Sequence, residues 1–341
     1  MLDKIHNLYE ILSTPLTNWV QMEISTYCTA SCIYCPHTIY KQKWREENMS
    51  IETFKKVLPA LSHTRLAYLQ GWGEPFCNPH FFEMLHLAKS RGCRVGTSTN
   101  GMLLDKNKIN RLLDERIDIV TFSLAGASDY HNQVRSGTRL AQIMEHIEYL
   151  KFEKEKRGIK YPEIHIAYLL LKSGLEELDK LPALLSKKNV AQVVISTLDF
   201  VPSPELTCEK IAPETVEAYN LLAERLNLLT DELARENTAL HYHLQHPDYP
   251  FTECTENIKR SFFVAVDGAV SPCVFLNLPV ENTLYVVSER ENPYCRVIFG
   301  NVNCKTPAKI WKDKKYRKFR ESFFTGHIPE CCISCPKRHM S

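Results

Sequence analysis

Through the first two hundred residues, short β-branched and apolar runs alternate with segments whose apolar positions return every third or fourth residue. The first kind predicts strands at 20–25, 66–70, 94–98, 118–124, 164–171 and 192–197. The second predicts helices at 51–61, 81–91, 106–114, 140–154 and 175–187. Phe82, Leu85 and Ala88 show the helical spacing, and Gly92 supplies its stop. Strands and helices in strict alternation predict parallel βα units. Eight strands would complete a TIM barrel, so six predict an α/β fold with a partial (β/α)6 TIM-like barrel. Active residues of such barrels sit at the C-terminal strand ends.

Beyond the barrel the pattern changes. A helix over about 213–236, with Val216, Tyr219, Leu222 and Leu226 near one face, reads as a bridge. Runs at 261–266 and 269–274 flank Asp267-Gly268, a dipeptide that favours a tight hairpin turn. Thr306-Pro307 opens a last helix, with Thr as N-cap and Pro at the first helical position. The expected organisation is a helical extension over 1–16, the barrel over 17–200 and a bridging helix and linker over 201–250. A small α+β C-terminal domain over 251–341 completes it.

A net charge of +2 gives no electrostatic reason to expect nucleic acid or a membrane surface as partner. The first residues lack the basic-then-apolar layout of a signal peptide, and no stretch reaches the roughly 18 apolar residues of a span. A cytoplasmic location is therefore expected. Thirteen cysteines change the picture. In a chain of this size without an export signal, clustered cysteines point to metal or redox chemistry. They cluster at Cys28, Cys32 and Cys35, and again at Cys331, Cys332 and Cys335. Cys77, Cys93 and Cys208 stand alone and read as ordinary buried thiols.

Cys28-Thr-Ala-Ser-Cys32-Ile-Tyr-Cys35 follows the first strand, where a loop leaves the top of the barrel. Thiolates closely spaced in one loop can wrap one iron–sulfur cluster, and three of them leave one iron open. Zinc is the rival, although zinc sites usually pair two Cys or His elements. The C-x-x-x-C-x-x-C spacing, with Tyr34 before the last cysteine, resembles the signature of the radical S-adenosylmethionine (SAM) superfamily. In that family the open iron chelates the amino and carboxylate groups of SAM. The reduced cluster then cleaves SAM to a 5′-deoxyadenosyl radical, which abstracts a hydrogen atom from a substrate.

Further pieces fall in the order that resemblance requires. Gly71-Trp72-Gly73-Glu74-Pro75, after the second strand, is similar to the family's G-G-E-P element, which holds the SAM amino group; Trp72 departs from its simplest form. Ser123, at the end of the fourth strand, matches a polar residue that contacts the SAM ribose. Arg135 resembles an arginine near the SAM carboxylate. The resemblance covers about residues 17–200 and implies a catalytic [4Fe-4S] cluster, SAM, and an electron donor such as flavodoxin or ferredoxin.

Cys254, Cys273 and the Cys332-Ile-Ser-Cys335 pair supply four more thiols, enough to saturate a cluster. Structural zinc suits the same donors. Phe299-Gly-Asn-Val302, Ile310-Trp311 and Phe319-Arg320 resemble landmarks of SPASM and twitch domains, which carry auxiliary [4Fe-4S] clusters behind radical SAM barrels. With no cysteines after Cys335, the resemblance is to the shorter, one-cluster form, giving two clusters per chain. Cys331 is an alternative to Cys332, and Cys295 and Cys304 are spare.

Many SPASM-type relatives modify peptides or mature other enzymes. Oxidative modification of a peptide or protein is thus the leading expectation, and the chain resembles a subgroup of proposed metalloenzyme maturases. Dehydrogenation or epimerisation of a small molecule such as an aminocyclitol is the alternative. A non-catalytic metal scaffold is a third class, disfavoured by the open-iron trio and Glu74. His241, His243 and His246 and the basic run 312–318 are assigned no function.

Overall fold

Six parallel strands form the centre of the molecule: β1 (Thr17–Met22), β2 (Thr64–Leu69), β3 (Arg94–Thr99), β4 (Ile119–Leu124), β5 (Glu163–Leu170) and β6 (Val190–Thr197). The computed structural model describes residues 17–248, 253–287, 289–333, 335 and 337–339. The helical extension expected over 1–16 lies outside them. Neighbours pair in chain order, from β1 beside β2 through to β5 beside β6, all in parallel register. This is the partial barrel expected from the alternation.

The sheet runs on at both ends. Ala239–Tyr242 (β7) adds parallel to β6, and Ser261–Val264 (β8) adds parallel to β1. Beyond β8 lie Ala269–Ser271 (β9) and Gly300–Asn301 (β10), both antiparallel. The order is β10-β9-β8-β1-β2-β3-β4-β5-β6-β7, an open sheet whose end strands do not pair with each other. The hairpin expected around Asp267-Gly268 is therefore built into the barrel sheet itself. Its loop is one residue longer than a two-residue turn: Ala265 pairs with Ala269, and Gly268 takes a φ of 81°, where L side chains are strained.

Alternation decides which face of each strand meets the helices. On β5, Ile164, Ile166, Tyr168 and Leu170 are buried, while His165 and Ala167 are half-buried on the inner face. The inner face is polar near the middle, where the Tyr68 hydroxyl bonds Ser98 Oγ at 3.0 Å and Thr121 Oγ1 at 2.7 Å. Ile51–Leu61 (α1) and Lys106–Asp114 (α3) fall where the periodicity put them, because Ser50 and Asp105 accept from the amides of Thr53 and Lys108 as N-caps. Phe81–Lys89 (α2) and Leu140–Arg157 (α4) also match closely.

Two expectations need correction. The helix expected over 175–187 is a 3₁₀ stretch, Lys172–Lys180, followed by a short α-helix, Leu181–Leu185 (α5). Pro182 has no N–H to continue a helical ladder, so a new helix starts there. Cys208 is exposed rather than buried, its thiol donating to the Glu205 carbonyl. The bridging helix is Val216–Ala234 (α6), and Thr306 caps Pro307–Trp311 (α7) as expected. Among the described residues no helix is long and apolar enough to cross a membrane.

Candidate functional site

The chain leaving β1 carries the first thiols. Cys32 lies in a short strand, Ser31–Cys32, paired antiparallel with Arg135–Ser136, so that Cys32 faces Arg135. Cys35 closes a turn onto Cys32, N–H to carbonyl at 3.1 Å, and caps a one-turn helix through bonds to Thr38 and Ile39. Two of the sulfurs accept backbone amides two residues on: Ala30 N–H to Cys28 at 3.5 Å, and His37 N–H to Cys35. The Asn100 amide group reaches Cys28 at 3.7 Å and Thr29 at 3.2 Å.

Charge around the trio comes from Arg135, buried at 8% exposure. Its guanidinium donates to the Tyr34 hydroxyl, and its Nε is buried with no hydrogen-bond partner. Burial pushes the Cys28 thiol up to about 12 and Cys35 well above its ordinary value, with Arg135 pulling both the other way. This cation and the aimed amides favour the thiolates, and a metal among the thiols would favour them further.

The Gly71–Glu74 loop follows β2 and packs against the end of β1. A Cβ at Gly73 would lie 2.4 Å from the Ser25 carbonyl oxygen, and one at Gly71 would lie 2.3 Å from Glu23 Cγ. Gly73 therefore serves close backbone approach, and Gly71 leaves room for the Glu23 side chain. The Glu74 carboxylate, expected to face a ligand ammonium, is committed inside the protein. It accepts from Thr99 Oγ1 at 2.8 Å, from Asn100 N–H at 2.7 Å and from Phe76 N–H at 3.3 Å. Burial raises it to about 7 against those bonds. Glu74→Gln would turn one of these contacts into donor against donor. A loss of about 1–3 kcal/mol in folding stability is expected, read as a lower denaturant midpoint; an unchanged midpoint would contradict the brace.

Ser123 is half-buried on the same face of β4 as Thr121. His131 lies close to Arg135, fully buried, its ring bonding Thr138 Oγ1 at 3.0 Å. Burial, then the Arg135 cation, lowers its pKa to about 3. The folded state thus refuses a proton that the unfolded chain accepts near pH 6.5. That stability is whole above about pH 6.5 and is lost as pH falls toward 3. His131→Gln is expected to flatten the fall in unfolding midpoint between about pH 7 and pH 5.

The second set of thiols lines a cavity of about 730 Å³ in the C-terminal region. Cys254, Cys273, Cys332 and Cys335 all border it, with Cys295 and Cys331. Glu253–Cys254 pairs with Arg338–His339, sewing the start of this region to its end. Cys335 turns onto the Cys332 carbonyl at 3.3 Å, repeating the Cys32–Cys35 turn. The amides of Glu256, Leu276 and Lys337 point at Cys254, Cys273 and Cys335. Burial pushes Cys254 up to about 12 and Cys335 to about 11. Cys332 is buried and Cys331 exposed, with sulfurs 3.9 Å apart. Among the described residues no three His, Cys, Asp or Glu side chains close on a point suited to one ion; the thiols share a space.

Three residues escaped the sequence reading. Asn100 stands at the end of β3 beside Gly101, whose φ of 82° marks the turn. Glu23, wholly buried after β1, accepts from Trp72 N–H at 2.8 Å while its other oxygen has no partner. Lys337, 2.8 Å from Asp199 and 3.9 Å from Glu256, ties the chain end to the segment after β6. A carboxylate closing an apolar strand was the available signal for Glu23; the others needed tertiary contacts.

Residues 22–181 match the model of the radical SAM superfamily, and residues 254–336 match that of the SPASM iron–sulfur cluster-binding domain. The chain thus carries a radical SAM domain and, behind its barrel, a SPASM domain. It is similar to the tungsten-containing aldehyde ferredoxin oxidoreductase cofactor-modifying protein of Pyrococcus furiosus. The two are 26% identical over 330 residues, covering 94% of this chain and 87% of the relative. In fold it resembles native anSMEcpe with bound AdoMet, at a TM-score of 0.66 and 16% identity over 94% of this chain and 89% of that one. It also resembles Streptococcus suis SuiB bound to precursor peptide SuiA, at 0.61 and 15% over 95% of this chain and 70% of SuiB.

Proposed function

We propose that this chain reductively cleaves SAM at a [4Fe-4S] cluster held by Cys28, Cys32 and Cys35. Hydrogen abstraction then serves oxidative, maturase-like modification of a peptide or protein. The observation that carries the reading is the set of three thiols, with amides and Arg135 around them, beside the Gly71–Glu74 loop at the top of the barrel. When bound, a reduced cluster with an open iron and SAM supplies a carbon radical able to attack unactivated C–H bonds.

The residues divide the remaining work. Arg135, braced by Tyr34, offers an unpartnered buried Nε toward an anionic group. Gly71 and Gly73 keep the loop backbone close to β1, and Trp72 and Glu74 fix it from either side. Ser123 presents a hydroxyl from the inner face of β4. Cys254, Cys273, Cys332 and Cys335 hold a second, saturated [4Fe-4S] cluster in the twitch manner. The domain division at about 200 and 250, a cytoplasmic setting and reduction by flavodoxin or ferredoxin belong to the same proposal.

A peptide substrate is supported by SuiB, described with its precursor peptide, and a maturase role by the Pyrococcus relative, named for modifying another enzyme's cofactor. The open sheet, with β10 and β7 unpaired to each other, leaves a side for a large substrate. The test uses a fully deuterated peptide library and, separately, a deuterated aminocyclitol, each with reconstituted protein, dithionite and SAM. Deuterium from the library should appear in 5′-deoxyadenosine. Transfer only from a deuterated aminocyclitol would move the assignment to a small molecule.

A further inference from the structure

Trp72 is where this chain departs from the glycine pair of its family motif, and its side chain reaches the C-terminal region. Its indole N–H donates to the Val274 carbonyl at 3.1 Å, one residue beyond Cys273. Its ring packs edge-on against Phe275 at 5.6 Å and against Phe200 at 6.0 Å. Phe200 in turn stacks on Tyr285 at 5.3 Å with planes 3° apart. Phe200, Phe275 and Tyr285 all border the C-terminal cavity. The Tyr285 hydroxyl lies within electrostatic reach of Cys295, Cys331, Cys332 and Cys335.

The other end of Trp72 is equally fixed. Its backbone N–H donates to the buried Glu23 carboxylate, the group for which Gly71 leaves room. One residue thus has its main chain in the SAM-side loop and its side chain against the wall of the second thiol site. We infer that Trp72 is a positioning residue that couples the two sites, so that filling the C-terminal site orders the Gly71–Glu74 loop for SAM. The inference rests on the reading of the two sites proposed above.

The physical reason is shared packing. Cys273 caps the 3₁₀ turn Val274–Leu276, and Leu276 N–H points back at its sulfur. When Cys273 is drawn into metal ligation, the Val274 carbonyl and the Phe275 ring are fixed with it. Trp72 then meets a rigid partner and its loop loses freedom. When Cys273 is unligated, the turn loosens and the loop with it. A coupling between two such sites typically changes affinity about five-fold or more.

The test is a double-mutant comparison on reconstituted protein. SAM affinity is measured with the Cys254, Cys273, Cys332 and Cys335 quartet intact and replaced by alanine, each with Trp72, Trp72→Phe and Trp72→Ala. With Trp72 present, loss of the quartet should weaken SAM binding about five-fold or more. With Trp72→Ala the two proteins should bind SAM alike, and Trp72→Phe, which keeps a ring in the stack, should restore part of the difference. Amide exchange at 71–77 should rise on quartet loss only where the ring is present. An equal quartet effect with and without Trp72, or none in the parent, would overturn the inference. A parent that binds no SAM, or a quartet variant that loses no iron, would overturn the reading of the sites and the inference with it.

Discussion

Replacing Cys28, Cys32 and Cys35 together by alanine is expected to abolish reductive cleavage of SAM and to remove about four irons per chain. The three thiols lie on one loop whose backbone is pinned at Cys32 by the Arg135 strand and at Cys35 by the capped helix. Cys77 sits after the Gly71–Glu74 loop in the turn Pro75–Cys77 and Cys93 is buried before β3, so neither lies on the loop that carries the trio. Loss of one ligand breaks the geometry, and loss of all three removes the site. The checks are iron content and the yield of 5′-deoxyadenosine after dithionite reduction. A triple variant that cleaves SAM as well as the parent would contradict the assignment.

The C-terminal quartet is expected to behave differently. Alanine at Cys254, Cys273, Cys332 and Cys335 should lower iron from about eight to about four per chain while SAM cleavage persists. On the proposed assignment four thiolates would leave no iron open, so this site would carry electrons or structure and would not bind SAM. Single substitutions should separate the neighbours Cys331 and Cys332. Cys332 is buried within electrostatic reach of Cys273 and Cys335, whereas Cys331 is exposed. Iron should therefore fall in Cys332→Ala and hold in Cys331→Ala. The reverse pattern would exchange the ligand, and zinc in place of iron would remove the auxiliary cluster.

The sequence disclosed what depends on local pattern. The six barrel strands were legible because apolar runs and helical periods alternate without interruption, and α1 and α3 began at residues with capping side chains. Both cysteine clusters were legible as clusters because Cys28, Cys32 and Cys35, and again Cys331, Cys332 and Cys335, lie within a few residues of each other. Pairings over long sequence distances were not. Nothing in the run Ser261–Val264 says that it lies parallel to β1, some 240 residues earlier, because any strand of that apolar character would fit.

Side-chain direction was equally hidden. Glu74 was readable as a ligand carboxylate; that the amide of Asn100 and the hydroxyl of Thr99 also reach it was not. The glycines beside it were readable as room for a ligand; that they also make room for Glu23 and for the carbonyls after β1 was not. Trp72 was a departure without an explanation until the C-terminal region was in place around it. Such residues serve contacts between elements, and one strand's sequence does not carry its neighbour's.

The most direct test of the account is electron paramagnetic resonance of the dithionite-reduced protein with and without SAM, in the parent, the N-terminal triple variant and the C-terminal quartet variant. The account predicts that SAM perturbs the cluster signal in the parent and in the quartet variant, where the open iron remains, and leaves the triple variant's signal unchanged. A signal that shifts with SAM when only the C-terminal quartet remains would contradict it.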